Sequence, residues 1–161
     1  MQSPISKFSL DRKFTKEEKG IFVNFVKNTH KIEASLGNAK TKSMSILDMS
    51  ELVDIKSFCL SSLNKYTNSS DFYITESWLN FIMPSEWHHS HNHPNSLISG
   101  ILYVNARKAL HTVVFSELEE TISVEKFDLL LFPSYLLHHT SKSKDSDLKI
   151  SLSFNTSKIT T

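Results

Sequence analysis

The sequence predicts a mainly β protein with N-terminal helices, in the α+β class, because two amphipathic helical segments precede many short strand-like segments. This order of elements is typical of a β-sandwich or barrel with helices packed on its outside. The 161 residues, 39% of them hydrophobic, are enough for one domain with a packed core and too few for two. We therefore predict a single domain over residues 1–161, with a helical part at about 1–70 and a barrel core at about 71–156.

The two predicted helices lie in the first half of the chain. The first runs from Thr15 to about Leu36, with acidic residues in its first turn and a stop signal at Gly37. The second runs from about Ser50 to Tyr66, where apolar residues recur at spacings of three and four. Each helix therefore has one apolar face that can pack against the barrel.

The pattern changes after Asp71 to segments rich in aromatic and β-branched residues, which favour strands. The last segment alternates strictly between apolar and polar residues, so that Lys149 and Ser151 lie on one face and Ile150 on the other. The predicted strands are Phe72–Met83, Ser99–Asn105, Thr112–Phe115, Thr121–Val124, Phe127–Phe132 and Leu148–Asn155.

Charge, cysteine content and hydrophobicity indicate which partners and which cellular compartment to expect. Lys plus Arg number 18 against 17 for Asp plus Glu, so the net charge of +1 gives no broad basic surface and nucleic acid is not an expected partner. The one cysteine, Cys59, excludes a disulfide within the chain and favours a reducing compartment, so we expect a cytoplasmic protein. No apolar run has the length needed to span a bilayer, and no membrane partner is expected.

Histidine clustering indicates a metal site. Four of the eight histidines lie between His88 and His93. On an extended segment His91 and His93 project to the same side, so both imidazoles can bind one metal ion. His138 follows 45 residues after His93, and antiparallel strands can return it to the pair. Neutral imidazoles suit iron, zinc, copper or nickel, although a histidine-rich loop that is simply a solvated turn is the alternative.

Three segments carry a resemblance to a known family: His91–Asn105 (HNHPNSLISGILYVN), Leu129–His138 (LLLFPSYLLH) and Lys149–Asn155 (KISLSFN). They resemble a family of 2-oxoglutarate–Fe(II) oxygenases from bacteria and marine phages, related to the prolyl hydroxylases. That family has a histidine pair before SGvyY, an FPSwL-x-H element and a closing RiSiSFN. The resemblance covers about residues 76–155 and implies a double-stranded β-helix (jelly-roll) barrel with two helices packed outside.

The resemblance also implies the metal ligands. His91 matches the first ligand and His138 matches the distal histidine of the family. His93 stands where most of the wider superfamily has a carboxylate, which departs from the arrangement of two histidines and one carboxylate. Either His93 is a third imidazole ligand, or it lies behind the metal and water takes its position. We expect direct ligation of Fe(II) by His93.

Further residues are implied to bind 2-oxoglutarate. Lys149 matches an arginine that binds the distal carboxylate, and it offers a point charge where arginine would make two parallel hydrogen bonds. Tyr103 matches a strand tyrosine that donates its hydroxyl to the same carboxylate. Packing or solvent-facing roles are the alternatives for both. The remaining candidates are Ser151, Ser99 and Asn80 for the cosubstrate, and His89, Trp87 and Trp78 for the substrate or a lid.

The implied activity is that of a 2-oxoglutarate/Fe(II)-dependent dioxygenase. Such a hydroxylase uses O2 to hydroxylate a C–H bond and releases succinate and CO2, with ascorbate as a supporting reductant. The expected substrate is a protein side chain or a metabolite, the expected place is the cytoplasm (of the bacterial host if the chain is phage-encoded), and an oligomer remains open. The alternatives are a cupin-type three-histidine metalloenzyme, a non-catalytic metal-stabilised barrel module, and a degenerate oxygenase.

Overall fold

A computed structural model describes residues 3–160 as two antiparallel sheets with helices on one side. The helices and strands in chain order are β1 (Ser6–Ser9), α1 (Lys16–Lys27), β2 (Ile32–Ala34), β3 (Ala39–Thr41), α2 (Val53–Thr67), β4 (Phe72–Ile82), β5 (Ile98–Asn105), β6 (Thr112–Phe115), β7 (Glu120–Ser123), β8 (Asp128–Pro133), β9 (His139–Thr140) and β10 (Lys149–Lys158). The larger sheet has the order β1-β8-β5-β10-β4-β3-β2, and the smaller has the order β7-β6-β9.

The hydrophobic core has two parts, one on each face of the larger sheet. One part lies between the outer face of this sheet and the helices, where Leu152 and Phe154 pack near Ile55 of α2. The other lies between the two sheets and contains Tyr103, Phe115 and Phe132. The two-layer arrangement confirms the predicted class, a mainly β jelly-roll barrel with the helices outside it.

The predicted first helix is too long. Its start is correct, because Thr15 caps α1 in a capping box with Glu18, and Arg12 pairs with the Glu18 carboxylate at 2.7 Å. However, α1 ends at Lys27, and the chain then forms a short 3-10 helix at Thr29–Lys31. Beyond it, β2 pairs with β3 and β3 pairs with β4, so hydrogen bonds to the sheet replace the weak helical pattern.

The region predicted as helical, about 1–70, therefore contains three strands. β1 pairs with β8 at one edge of the larger sheet, while β2 and β3 form the other edge. β2 and β3 have three residues each, which gives too little alternation to stand out in sequence. The second helix is close to its prediction: a 3-10 turn at Ser50–Leu52 leads into α2. In the described part of the chain, no helix has the length and apolar character needed to cross a membrane.

We predict that Gly100 is required by packing within β5. A Cβ atom at Gly100 would lie 2.1 Å from Cζ of the fully buried Phe154, a distance that forces the ring or the strand to move. Gly100→Ala should lower the free energy of unfolding by about 1–3 kcal/mol, because overpacking a core has costs of this size. Gly20→Ala is the matched control, since nothing lies within 4 Å of its Cβ position in α1. That variant should gain about 0.5–1 kcal/mol in urea denaturation. Equal stability of Gly100→Ala and the parent chain would contradict the packing argument.

Candidate metal centre and adjoining pocket

Three histidines from two separate segments meet at one end of the space between the sheets. The backbone N–H of His91 donates to the carbonyl of His138 at 3.1 Å, and His138 donates back to His91 at 3.0 Å. The N–H of His93 donates to the carbonyl of Ser134 at 3.0 Å. Through these bonds the loop before β5 lies against the segment between β8 and β9. One ring nitrogen from each of the three histidines lies within 4.8 Å of the others.

Hydrogen bonds of His91 and His138 show which ring nitrogen of each is free to bind a metal. Nδ1 of His91 lies 2.7 Å from the carbonyl of His89, and Nδ1 of His138 lies 3.0 Å from the carbonyl of Leu136. A carbonyl only accepts, so each Nδ1 carries the proton and each Nε2 keeps a lone pair. This is the tautomer that metal-binding histidines adopt when a backbone carbonyl orients them.

The three imidazoles are neutral near pH 7. Burial lowers the pKa of His91, lowers that of His93 to about 4 and lowers that of His138 well below its usual value. Neutral imidazoles bind metal without first losing a proton. The group contains no carboxylate among the described residues, so a divalent ion held there would keep its full positive charge. Such a donor set fits Fe(II) and favours an additional anionic ligand.

A pocket adjoins the three histidines and is lined by three cross-strand rows of the larger sheet. Strand pairing places Lys149 beside Ile82 in the first row. The second row is Asn80, Ser151 and Tyr103, and the third is Trp78, Ser153 and Ile101. All eight residues line the pocket together with the histidines. The polar face of β10 therefore faces the barrel interior, as its alternation indicates.

Lys149 is the cation of this pocket. Only 3% of its surface is exposed, and no Asp or Glu in the described part of the chain pairs with it. Its ammonium lies 5.4 Å from the centre of the Tyr103 ring, a cation–π contact. Burial lowers the pKa of Lys149 to about 8. A buried ammonium without a counter-ion suits an anionic ligand, because pairing relieves the cost of its desolvation.

Other polar groups of the pocket complement Lys149. Tyr103 is 1% exposed and burial raises its pKa, so its hydroxyl stays protonated and can donate. Asn80 donates from Nδ2 to the Ser153 hydroxyl at 2.9 Å, while its Oδ1 is buried without a partner. Turning this amide over would make Ser153 the donor and present the NH2 group to the pocket. Ser151 lies beside Asn80 and Tyr103 in the same row.

Three of the predicted residues lie away from the pocket. The Ser99 hydroxyl is 2.8 Å from that of Ser134, and Ser99 does not line the pocket although it shares a face with Tyr103. Trp87 and His89 pack on each other with ring centres 4.5 Å apart, outside the lining. A Cβ at Gly37 would lie 2.4 Å from both the His89 ring and the Trp87 carbonyl. These two residues therefore hold the β2–β3 turn against the loop that carries His91.

His88 and His139 line the pocket and were not predicted to do so. The His88 ring stacks on the His91 ring, with centres 4.3 Å apart and an angle of 26°. Its backbone is held by Thr140, whose hydroxyl accepts from the His88 N–H at 2.8 Å. The run of four histidines was the available signal, but spacing alone does not show which of them face inward. The remaining lining residues are Val113 and Thr140. Trp78, which was predicted, lies 5.8 Å from His93 between ring centres.

Sequence comparison finds one family. Residues 76–127 match the family model described as “Putative 2OG-Fe(II) oxygenase”. The matched range contains His91, His93 and Tyr103, whereas His138 and Lys149 lie beyond its end. No curated protein matches the sequence.

Solved structures of oxygenases share the fold. A viral collagen prolyl hydroxylase from Paramecium bursaria Chlorella virus-1, solved as a 2-oxoglutarate complex, has a TM-score of 0.70 and 16% identity over 98% of this chain and 97% of that chain. A Pseudomonas putida prolyl-4-hydroxylase has a TM-score of 0.63 and 13% identity over 94% and 92%. A Trichoplax adhaerens prolyl hydroxylase, in complex with a hypoxia-inducible factor peptide, has a TM-score of 0.70 and 13% identity over 96% and 84%. The family match and the fold together confirm the predicted resemblance to 2-oxoglutarate–Fe(II) oxygenases.

We predict that His88 orients His91 for metal binding. His88→Ala removes the ring that stacks on His91 and should weaken Co(II) binding about tenfold, the lower end of the effect of residues that orient metal ligands. Absorbance titration with Co(II) measures the affinity. His30→Ala is the control, because His30 lies exposed on a 3-10 turn and outside the pocket. Unchanged affinity in His88→Ala would show that the stacking has no role in the site.

Proposed function

We propose that this chain is a dioxygenase that hydroxylates a C–H bond of its substrate and releases succinate and CO2. The proposal builds on its resemblance to the 2-oxoglutarate–Fe(II) oxygenases. The observation that carries the proposal is the three-histidine cluster beside a buried lysine without a counter-ion. The histidines suit the metal, and the lysine suits the cosubstrate. A barrel stabilised by metal alone would have no need of the buried cation.

Each residue then has a defined task. His91 and His138 bind the metal through Nε2, and His93 supplies the third imidazole. Lys149 binds the distal carboxylate of 2-oxoglutarate, with donation from the hydroxyls of Tyr103 and Ser151. With O2, Fe(II) and 2-oxoglutarate supply the oxidant that attacks a C–H bond. Apolar lining residues keep bulk water from this reaction; they are Trp78, Ile82, Ile101 and Val113.

The substrate belongs to one of two classes under this proposal. The collagen and hypoxia-inducible factor hydroxylases with the same fold make a protein side chain one candidate. The nogalamycin carbocyclase SnoK, with a TM-score of 0.70 and 8% identity, makes a small metabolite the other. The cytoplasmic location expected from the single cysteine and the supporting role of ascorbate are part of the same proposal.

His138→Ala should abolish the reaction. Loss of the buried His138 ring removes one ligand of the proposed metal site, so succinate formation from 2-oxoglutarate should fall at least about a hundredfold. The assay follows succinate and CO2 with Fe(II), ascorbate and candidate substrates, and thermal shift with Mn(II) plus 2-oxoglutarate reports binding separately. His30→Ala, on an exposed 3-10 turn, is the control. Turnover by His138→Ala at the parent rate would contradict the proposed dioxygenase activity at this site.

The affinity for 2-oxoglutarate should depend on pH through Lys149. The protonated form binds the carboxylate, so the affinity is full below the pKa of about 8 and falls as Lys149 loses its proton above it. We expect KM for 2-oxoglutarate to rise about tenfold per pH unit above that value. The neighbours His88 and His111 are neutral in this range, because burial lowers the pKa of each.

Lys149→Arg is the matched variant for this prediction. Arginine stays charged to higher pH, so KM should become nearly independent of pH between about 7 and 10. Lys149→Met removes the charge and should raise KM at every pH. The same rise of KM in the lysine and arginine proteins would mean that another group controls binding.

A further inference from the structure

We propose that the fourth interior row of the larger sheet, formed by Glu76 and Asn155, binds a protonated amine of the primary substrate. This inference rests on the proposed function and adds the chemical class of the substrate. The sites for the metal and the cosubstrate do not involve either residue.

Strand pairing places this row directly after the three that line the pocket. Asn155 on β10 pairs with Glu76 on β4 and with Ser99 on β5. Pairing is regular from Ser151 to Asn155, so Glu76 and Asn155 face the same side of the sheet as Trp78 and Ser153. Successive rows are two residues apart along a strand, which is about 6.7 Å.

The first and fourth rows differ in their distance from the histidine cluster. His93 packs on Trp78, so the cluster adjoins the third row. Lys149 lies in the first row, about 13 Å away along the strand. A cosubstrate that reaches from the metal to Lys149 occupies the first and second rows. The fourth row also adjoins the cluster, because Phe132 pairs with Ser99 and packs on His138 with ring centres 4.8 Å apart. It remains for the molecule to be oxidised.

The unpaired side-chain oxygens of Glu76 and Asn155 are acceptors. Asn155 donates from Nδ2 to Oε2 of Glu76 at 3.0 Å. This bond defines the orientation of the amide, because the reverse orientation would set two oxygens against each other. Oδ1 of Asn155 is buried without a partner, and the residue is 8% exposed. Leaving such an acceptor unpaired is costly, so a ligand that donates to it is favoured.

Charge then selects among donors. Glu76 is exposed, and it makes no ion pair in the described part of the chain. Ser99, the third member of the row, does not offset the charge of Glu76, because its hydroxyl is engaged with that of Ser134. The barrel is therefore cationic at the Lys149 end and anionic at the Glu76 end. An anionic cosubstrate and a cationic substrate would each meet the opposite charge.

The test compares two peptides in the full chain loaded with Mn(II) and 2-oxoglutarate. One five-residue peptide has a central lysine, and the other has norleucine, which has a similar length and no ammonium group. Isothermal titration should show that the lysine peptide binds at least about tenfold more tightly, as expected for charge-assisted hydrogen bonds. In Glu76→Gln this preference should fall to about twofold or less.

Further variants separate the subsite from general effects. Glu51→Gln changes an exposed glutamate on a 3-10 turn of the helical layer, and it should keep the full preference for lysine. Asn155→Leu removes the unpaired acceptor while keeping side-chain size, and it should reduce the preference in the same direction as Glu76→Gln. Melting temperatures of all variants verify that they are folded.

The outcomes distinguish this inference from the proposed function. No Mn(II)-dependent binding of 2-oxoglutarate to the parent chain would count against the proposed function itself. With that binding present, equal affinity for the two peptides, undetectable binding of the lysine peptide, or a full preference in Glu76→Gln would overturn the amine subsite.

Discussion

The pair of backbone hydrogen bonds between His91 and His138 is the constraint on which the site depends. The two residues are far apart in the chain, and each belongs to a connection rather than to a long strand. Their mutual N–H to carbonyl bonds align the two connections as a short antiparallel bridge. The ring orientations follow from it, because local carbonyls accept from both Nδ1 atoms. Without this bridge the donors would lie on two independent loops.

β10 joins the structural and chemical halves of the molecule. Its apolar residues, such as Leu152 and Phe154, pack toward the helices and are fully buried. Its polar residues, from Lys149 to Asn155, contribute one member to every interior row. The same strand that stabilises the fold therefore spaces the polar groups at regular intervals along the barrel. A one-residue slip would exchange the two faces, so core packing also determines where Lys149 points.

Most strands after Asp71 were predictable from sequence, and the short strands before it were not. The bounds of β6 match the prediction, and β10 was recognised by its alternation, although it extends to Lys158. β2 and β3 have three residues each, and they form because β4 offers a free edge, which local sequence does not show. The segment 141–147 consists of polar residues, yet Asp145 is only 4% exposed. Its contacts with Arg107 and His111 come from a distant connection.

The candidate site shows the same division. The spacing of two residues between His91 and His93 and the family motif around His138 grouped the three histidines correctly. Both signals can be read from the sequence alone. Parity likewise separated the polar face of β10 from its apolar face. The sequence did not show that His88 lines the pocket or that Ser99 lies outside it. Whether a side chain faces a cavity depends on the backbone partners of its neighbours. The Thr140 hydroxyl accepts from the backbone N–H of His88, and the Ser134 hydroxyl is engaged with that of Ser99.

The unpaired ammonium of Lys149 has a consequence for the lifetime of the protein in a cell. A buried charge without a counter-ion weakens the folded state, and any anion that pairs with it shifts the balance between folded and unfolded chains. If 2-oxoglutarate is that anion, resistance to proteases will follow the cellular supply of this metabolite. The abundance of the protein would then rise with the concentration of 2-oxoglutarate even when no substrate is being oxidised.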